Sequence, residues 1–238
     1  MDMLYLMGAG SGGGLQISYL ALIVVSLVLG LGTQWYIRST FKRWSKVGMG
    51  NGATGARMAR RMLDDAGLAN VPIRPNGGAD LSDYYDPRSN ALYLSDSSEN
   101  GGSVASVAVA CHEAGHAVQH ARDYAPARIR MAIVPVVNIG SEAWMLVLLV
   151  GIFLNISGLI NLGILLFALV VVFQLVTLPV EFDASRRGLA FIQGQPGVSP
   201  DEARGARQML VAAALTYVAA ALTSILQLVY LLQQRRDE

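Results

Sequence analysis

This 238-residue sequence predicts a mainly α, integral membrane protein with about four transmembrane helices and one small polar α+β lobe. Three observations carry that prediction. The chain is 53% hydrophobic and only 15% charged, whereas soluble domains carry roughly 25% charge. Its apolar residues are gathered into a few long charge-free runs. Its charge is gathered instead into residues 38–130, which hold 12 of the 18 lysines and arginines. The same composition excludes a disordered chain, and a single cysteine, Cys111, excludes a disulfide scaffold. A net charge of +1 gives no support to a nucleic-acid partner.

Residues 15–37 contain no charged side chain and match the roughly 20 apolar residues that cross a bilayer core. No Lys or Arg precedes them, and the run is too long for a signal-peptide core, so they read as a retained anchor. The glycines at 8–14 read as a flexible tail. Within the lobe, about 38–130, TGARMARRMLDDA places Met58, Ala59, Met62, Leu63 and Ala66 at helical spacing, with Thr54 and Gly67 as caps. Short strands are expected around Val71–Ile73 and Ala91–Leu94, with turn chemistry at Asp86-Pro87-Arg88-Ser89-Asn90. A second helix should start after the cap Ser103 and run to about Arg122.

Residues 143–180 are again charge-free, and as one helix they would be about 57 Å long, too long for roughly 30 Å of hydrocarbon. Asn155, Ser157 and Gly158 supply the break, giving spans at about 131–154 and 159–180. Residues 181–208 read as a polar loop, and 209–232 as the last span. Positive charge flanks the first span on its C-terminal side and recurs at Arg186, Arg187, Arg204 and Arg207. The positive-inside rule therefore puts the lobe and the 181–208 loop in the cytosol and both termini outside, although Arg235 and Arg236 run against the pattern.

All three histidines, His112, His116 and His120, fall within nine residues. His112-Glu113-Ala114-Gly115-His116 is an H-E-x-x-H sequence. On a helix, two histidines four apart share a face and can reach one Zn²⁺. Glu113 projects about 100° away and can serve the metal's water rather than the metal. A catalytic zinc needs a third protein ligand. His120 lies about 12 Å further along a straight helix, too far to share the ion, and reads as a residue behind the ligands or at the surface. Glu181 is the other candidate, because the 131–180 hairpin leaves and re-enters the same side of the membrane. Asp183 and Glu142 compete with it. Glu142, near the bilayer midplane, is instead expected to pair with Asn138 inside the bundle.

HEAGHAVQH, followed about 60 residues later by QLVTLPVEFDASRR, resembles the YugP-type neutral zinc metallopeptidases, a membrane-embedded zincin family. TGARMARRML, DYYDPRSNALYLS, VPVVNIGS and AALTYVAAALTSILQLVYLL extend the resemblance over nearly the whole chain. It implies a zincin-like lobe, one Zn²⁺ held by His112, His116 and a downstream Glu that falls on Glu181, and Glu113 as catalytic acid/base. A weaker likeness is to HtpX-type membrane metallopeptidases, whose Glu is followed four residues later by Asp. That position is Ser185 here, so no carboxylate is expected from it.

The implied reaction is hydrolysis of peptide bonds at the membrane–cytosol boundary of a prokaryotic cell membrane. The partners are then the lipid bilayer and a protein or peptide substrate that is membrane-associated. An oxyanion donor is also expected, with Tyr84, Tyr85, Arg186 and Arg187 the nearest in sequence. Ala91–Leu94 is expected either to offer an edge strand to substrate or to sit in a core hairpin. The rival reading is a non-catalytic zinc-binding scaffold or assembly factor. Structural zinc, however, is normally closed by four ligands, often Cys. A transport pathway centred on Glu142 is the third reading.

Overall fold

The computed structural model describes residues 12–236. The chain is mainly helical, in the order α1 (Gly12–Trp44), α2 (Gly55–Asp65), β1 (Ile73–Pro75), β2 (Tyr84–Asp86), β3 (Ala91–Leu94), α3 (Asp96–Glu99), α4 (Val104–Ala121), α5 (Ala125–Phe153), α6 (Ser157–Gln193) and α7 (Pro200–Arg236). Gly12–Gly14 of the glycine run belong to α1, and residues 8–11 lie outside the described residues. Four helices, α1, α5, α6 and α7, are long and apolar enough to cross a membrane. The chain packs as two compact units. One comprises Trp35–Ile133 and Leu175–Tyr217; the other holds Val134–Gln174 with the stretches before Trp35 and after Tyr217.

In the unit that contains Trp35–Ile133, α2 forms because its apolar residues recur at helical spacing. Met58, Ala59, Met62 and Leu63 are buried, and the Thr54 hydroxyl accepts the Arg57 N–H at the helix start. Gly67 follows the helix end with φ +79°, the left-handed conformation glycine adopts freely. Ser103 caps α4 by accepting the Ser106 N–H at 3.1 Å. These helices share a core with Leu92, Leu94, Val104, Val107, Ile192 and Met209. Trp44, at the end of α1, is 7% exposed and donates its indole N–H to Gln208 at 3.0 Å.

The sheet has the order β1-β3-β2, with β1 parallel and β2 antiparallel to β3. Ala91–Leu94 is thus the central strand, paired on both sides, and cannot take a substrate as an added strand. This corrects the edge-strand expectation. An apolar run of that kind marks a strand enclosed by others. The edges are Ile73–Pro75 and Tyr84–Asp86. Asp86 opens the turn into β3 by accepting the Arg88 and Ser89 N–H groups at 3.0 and 3.1 Å.

Residues 181–193, expected as the beginning of a loop, continue α6. Val180, Ala184 and Ile192 stay buried along it, so the helix pattern persists beneath its charges. Only Gly194–Ser199 separate α6 from α7. Ser199 and Glu202 then cap each other reciprocally, at 2.6 and 3.3 Å, with Pro200 at the first helical position.

In the second unit, α5 and α6 are joined where expected, with Asn155 at φ 54° and the Ile156 N–H returning to the Gly151 carbonyl at 2.8 Å. Trp144 packs on Phe167 with ring centroids 4.5 Å apart. Glu142 and Asn138 are both exposed on α5, and no hydrogen bond joins them among the described residues.

Candidate metal centre

α4 and α6 meet at a crossing in which backbone lies against backbone. A Cβ on Gly115 would stand 2.6 Å from the Ala184 carbonyl oxygen, and one on Gly188 would stand 2.9 Å from the Cys111 carbonyl oxygen. Only glycine permits this approach. Gly115 lies inside the His112–His116 turn, so the crossing brings α6 against the face that carries both histidines.

The side chains converge there. His112, Glu113 and His116 each offer a ligand atom within 4.8 Å of the others, a group that could hold a metal ion. Glu181 joins from α6. Its Oε2 is 3.2 Å from His112 Nε2 and 3.5 Å from His116 Nε2. Among the described residues that oxygen is buried and makes no hydrogen bond. Buried carboxylate oxygens are ordinarily satisfied, so an orphan facing two imidazole nitrogens has the arrangement of a shared-ion site. Tetrahedral zinc with bonds of about 2.0–2.1 Å separates its ligand atoms by about 3.3–3.4 Å, and the two observed gaps bracket that separation. The donor set fits zinc.

Each member is held from behind. Arg130 Nη1 donates to Glu181 Oε1 at 3.1 Å, leaving Oε2 toward the histidines. His112 Nδ1 is 3.1 Å from the Ser185 hydroxyl. His116 Nδ1 is 3.0 Å from Gln119 Oε1, and Gln119 Nε2 donates to the Val180 carbonyl at 2.7 Å and to Asp183 at 3.0 Å. Arg186 and Arg187 both pair with Asp183. Glu113 accepts the Tyr85 N–H of strand β2 at 3.0 Å. Burial pushes Glu113 above the ordinary carboxylate range, the histidines pull it down, and Glu181 and Asp83 add to the rise. Burial alone would lower His116, but Glu181 and Glu113 outweigh it and raise it.

The structure brings His112, Glu113, His116 and Glu181 together. His120 stands apart, its Nδ1 2.7 Å from the Tyr85 hydroxyl, which donates to Asn90 at 2.7 Å. Burial pushes that hydroxyl up to about 12. Asp183 reaches His116 only through Gln119. Gln119, Arg130 and Tyr217, which sits beside Glu181, were not singled out from sequence. Gln119 had a readable signal, since it lies three residues after His116 on the same helix face.

Residues 19–236 match the family described as "Putative neutral zinc metallopeptidase". The chain belongs to that family. A relative of this chain is the "Putative membrane protease YugP" of Bacillus subtilis (strain 168), 43% identical over 223 residues, which cover 92% of this chain and 99% of the relative. No solved structure matches the chain.

Proposed function

We propose that this protein is a zinc-dependent membrane peptidase that hydrolyses peptide bonds where the bilayer meets the cytosol. In this reading His112, His116 and Glu181 hold one Zn²⁺ and Glu113 is the catalytic acid/base. The observation that carries it is the unpartnered Glu181 Oε2, 3.2 and 3.5 Å from the two imidazole Nε2 atoms. Zinc in such a site supplies a Lewis acid and lowers the pKa of a coordinated water toward about 7.

The chain's own residues do the rest. Among the described residues the hydrogen-bond partner of Glu113, which stands beside the ligands, is the Tyr85 N–H, and it aims the carboxylate. That carboxylate takes a proton from the attacking water and returns it to the leaving amine. Arg130 keeps Glu181 to a single free oxygen. Arg186 and Arg187 each pair with Asp183, and the Tyr85 phenol donates to Asn90 beside His120 Nδ1. Four apolar helices and the positive-inside pattern support a multi-pass protein in a prokaryotic membrane, with the site on the cytosolic side and membrane-associated chains as substrates.

Metal content decides the assignment. Purified wild type should carry one zinc per chain, Glu181→Ala should lose it, and Glu113→Gln should keep it while losing hydrolysis. A Glu113→Gln variant that still cleaves, or a Glu181→Ala variant that keeps stoichiometric zinc, would overturn this reading. The scaffold alternative predicts no hydrolysis by the wild type and no functional change in Glu113→Gln.

A further inference from the structure

The two histidines of the α4 motif are supported differently, and the difference has a chemical consequence. An imidazole binds a metal through Nε2 only when that nitrogen carries a lone pair, which requires the proton on Nδ1. A free neutral imidazole favours the opposite tautomer, with the proton on Nε2. Something in the fold must reverse that preference if the site is to be ready for an ion.

For His116 the hydrogen-bond partners settle the matter. Gln119 is 1% exposed. One end of its amide faces two acceptors, the Val180 carbonyl at 2.7 Å and the Asp183 carboxylate at 3.0 Å. Only an NH₂ group can meet both. The other end is therefore the carbonyl oxygen, and it faces His116 Nδ1 at 3.0 Å. In a neutral imidazole an acceptor there requires Nδ1 to donate, which leaves the lone pair on Nε2, the nitrogen that faces Glu181. Arg186 and Arg187 both donate to the same Asp183 carboxylate. The relay runs from two arginines through Asp183 and Gln119 to His116. His112 has no such constraint, because its Nδ1 meets the Ser185 hydroxyl at 3.1 Å, a group that can donate or accept.

We infer that Gln119 is a positioning residue that fixes His116 in its Nδ1–H tautomer before any ion arrives. It does so by anchoring its own amide to α6 through Val180 and Asp183. This rests on the proposed ligand role of His116, but its first test does not need a metal.

The experiment is nitrogen-15 NMR of chelator-stripped full-length protein in detergent micelles, at a pH where the imidazoles are neutral, followed by zinc titration against a chromophoric chelator. Wild-type His116 should show the Nδ1–H pattern alone. Gln119→Met should return His116 toward the Nε2–H form and weaken zinc binding about 10- to 100-fold, the range seen when a ligand's outer hydrogen-bond partner is removed. Gln119→Glu, which keeps an acceptor at Nδ1, should retain the tautomer despite losing the donors to α6. A purely structural Gln119 would change stability and leave the tautomer alone. The inference is overturned if stripped wild-type protein carries the His116 proton on Nε2, or if Gln119→Met leaves both the tautomer and the zinc affinity unchanged. If Gln119→Met does not fold, the wild-type tautomer still decides. A wild type that binds no zinc yet shows the Nδ1–H pattern would remove the peptidase reading and leave this one standing.

Discussion

The two units of the chain dispose of their apolar side chains in opposite ways. In the unit built on α2, α4 and the sheet, Met58, Leu63, Leu92, Leu94, Val104 and Val107 are fully buried, at 0% exposure. In the other, Ile139 is 70% exposed, Leu146 66% and Phe153 87%. The first unit has the interior expected of a fold in water, where removal of apolar surface drives packing. The second has the outward apolar faces expected of helices in hydrocarbon, where tails are as apolar as leucine and close contact has to hold helices together. One composition thus answers to two solvents, and the polar chemistry sits in the unit that packs as if in water.

That contrast can be tested from its strongest consequence downward. Glu113→Gln, in the buried unit, should lower hydrolysis by about 10²- to 10⁴-fold without changing unfolding in micelles; steady-state kinetics beside a melting curve checks both halves. Leu63→Ala removes a fully buried side chain and should cost about 2–5 kcal/mol in reversible unfolding. Gly115→Ala should force α4 from α6, destabilise by about 1–3 kcal/mol and reduce bound zinc measured by mass spectrometry, because the added methyl meets the Ala184 backbone. Leu146→Ala should be the mildest, within about 0.5 kcal/mol, as expected for a side chain that already faces outward. If Leu146→Ala in micelles proved as costly as Leu63→Ala, the outward face would be a packed one and the contrast would collapse.

Much of this was legible in the sequence. Charge-free runs revealed the four long apolar helices because runs of that length stand out in composition alone. The α2 caps at Thr54 and Gly67 and the α4 cap at Ser103 were legible because capping is local chemistry. The H-E-x-x-H turn was legible because two histidines four apart share a face on any helix. The contacts that support it were not. Gln119 meets Val180 across 61 residues and Ser185 meets His112 across 73, distances over which no periodicity carries information. The choice between an edge strand and a core hairpin stayed open for a related reason. Apolar Ala91–Leu94 announced itself as a strand, while the true edges, with Arg74 and Pro75 on one side and Tyr84 and Asp86 on the other, carry the polar residues and proline that edges use to deter mispairing. The helix beyond Val180 was hidden because its charges, Glu181, Asp183, Arg186 and Arg187, resemble a loop until each is seen against its partner.

Trp44 adds an optical consequence. Of the three tryptophans, Trp35 is 71% exposed, whereas Trp44 is 7% exposed, its indole N–H tied to Gln208. A collisional quencher that dims Trp35 leaves Trp44 shielded. The chain therefore carries an intrinsic fluorophore sealed inside the unit that holds the histidines, and the moment at which its emission becomes quenchable times the opening of that unit without any added label.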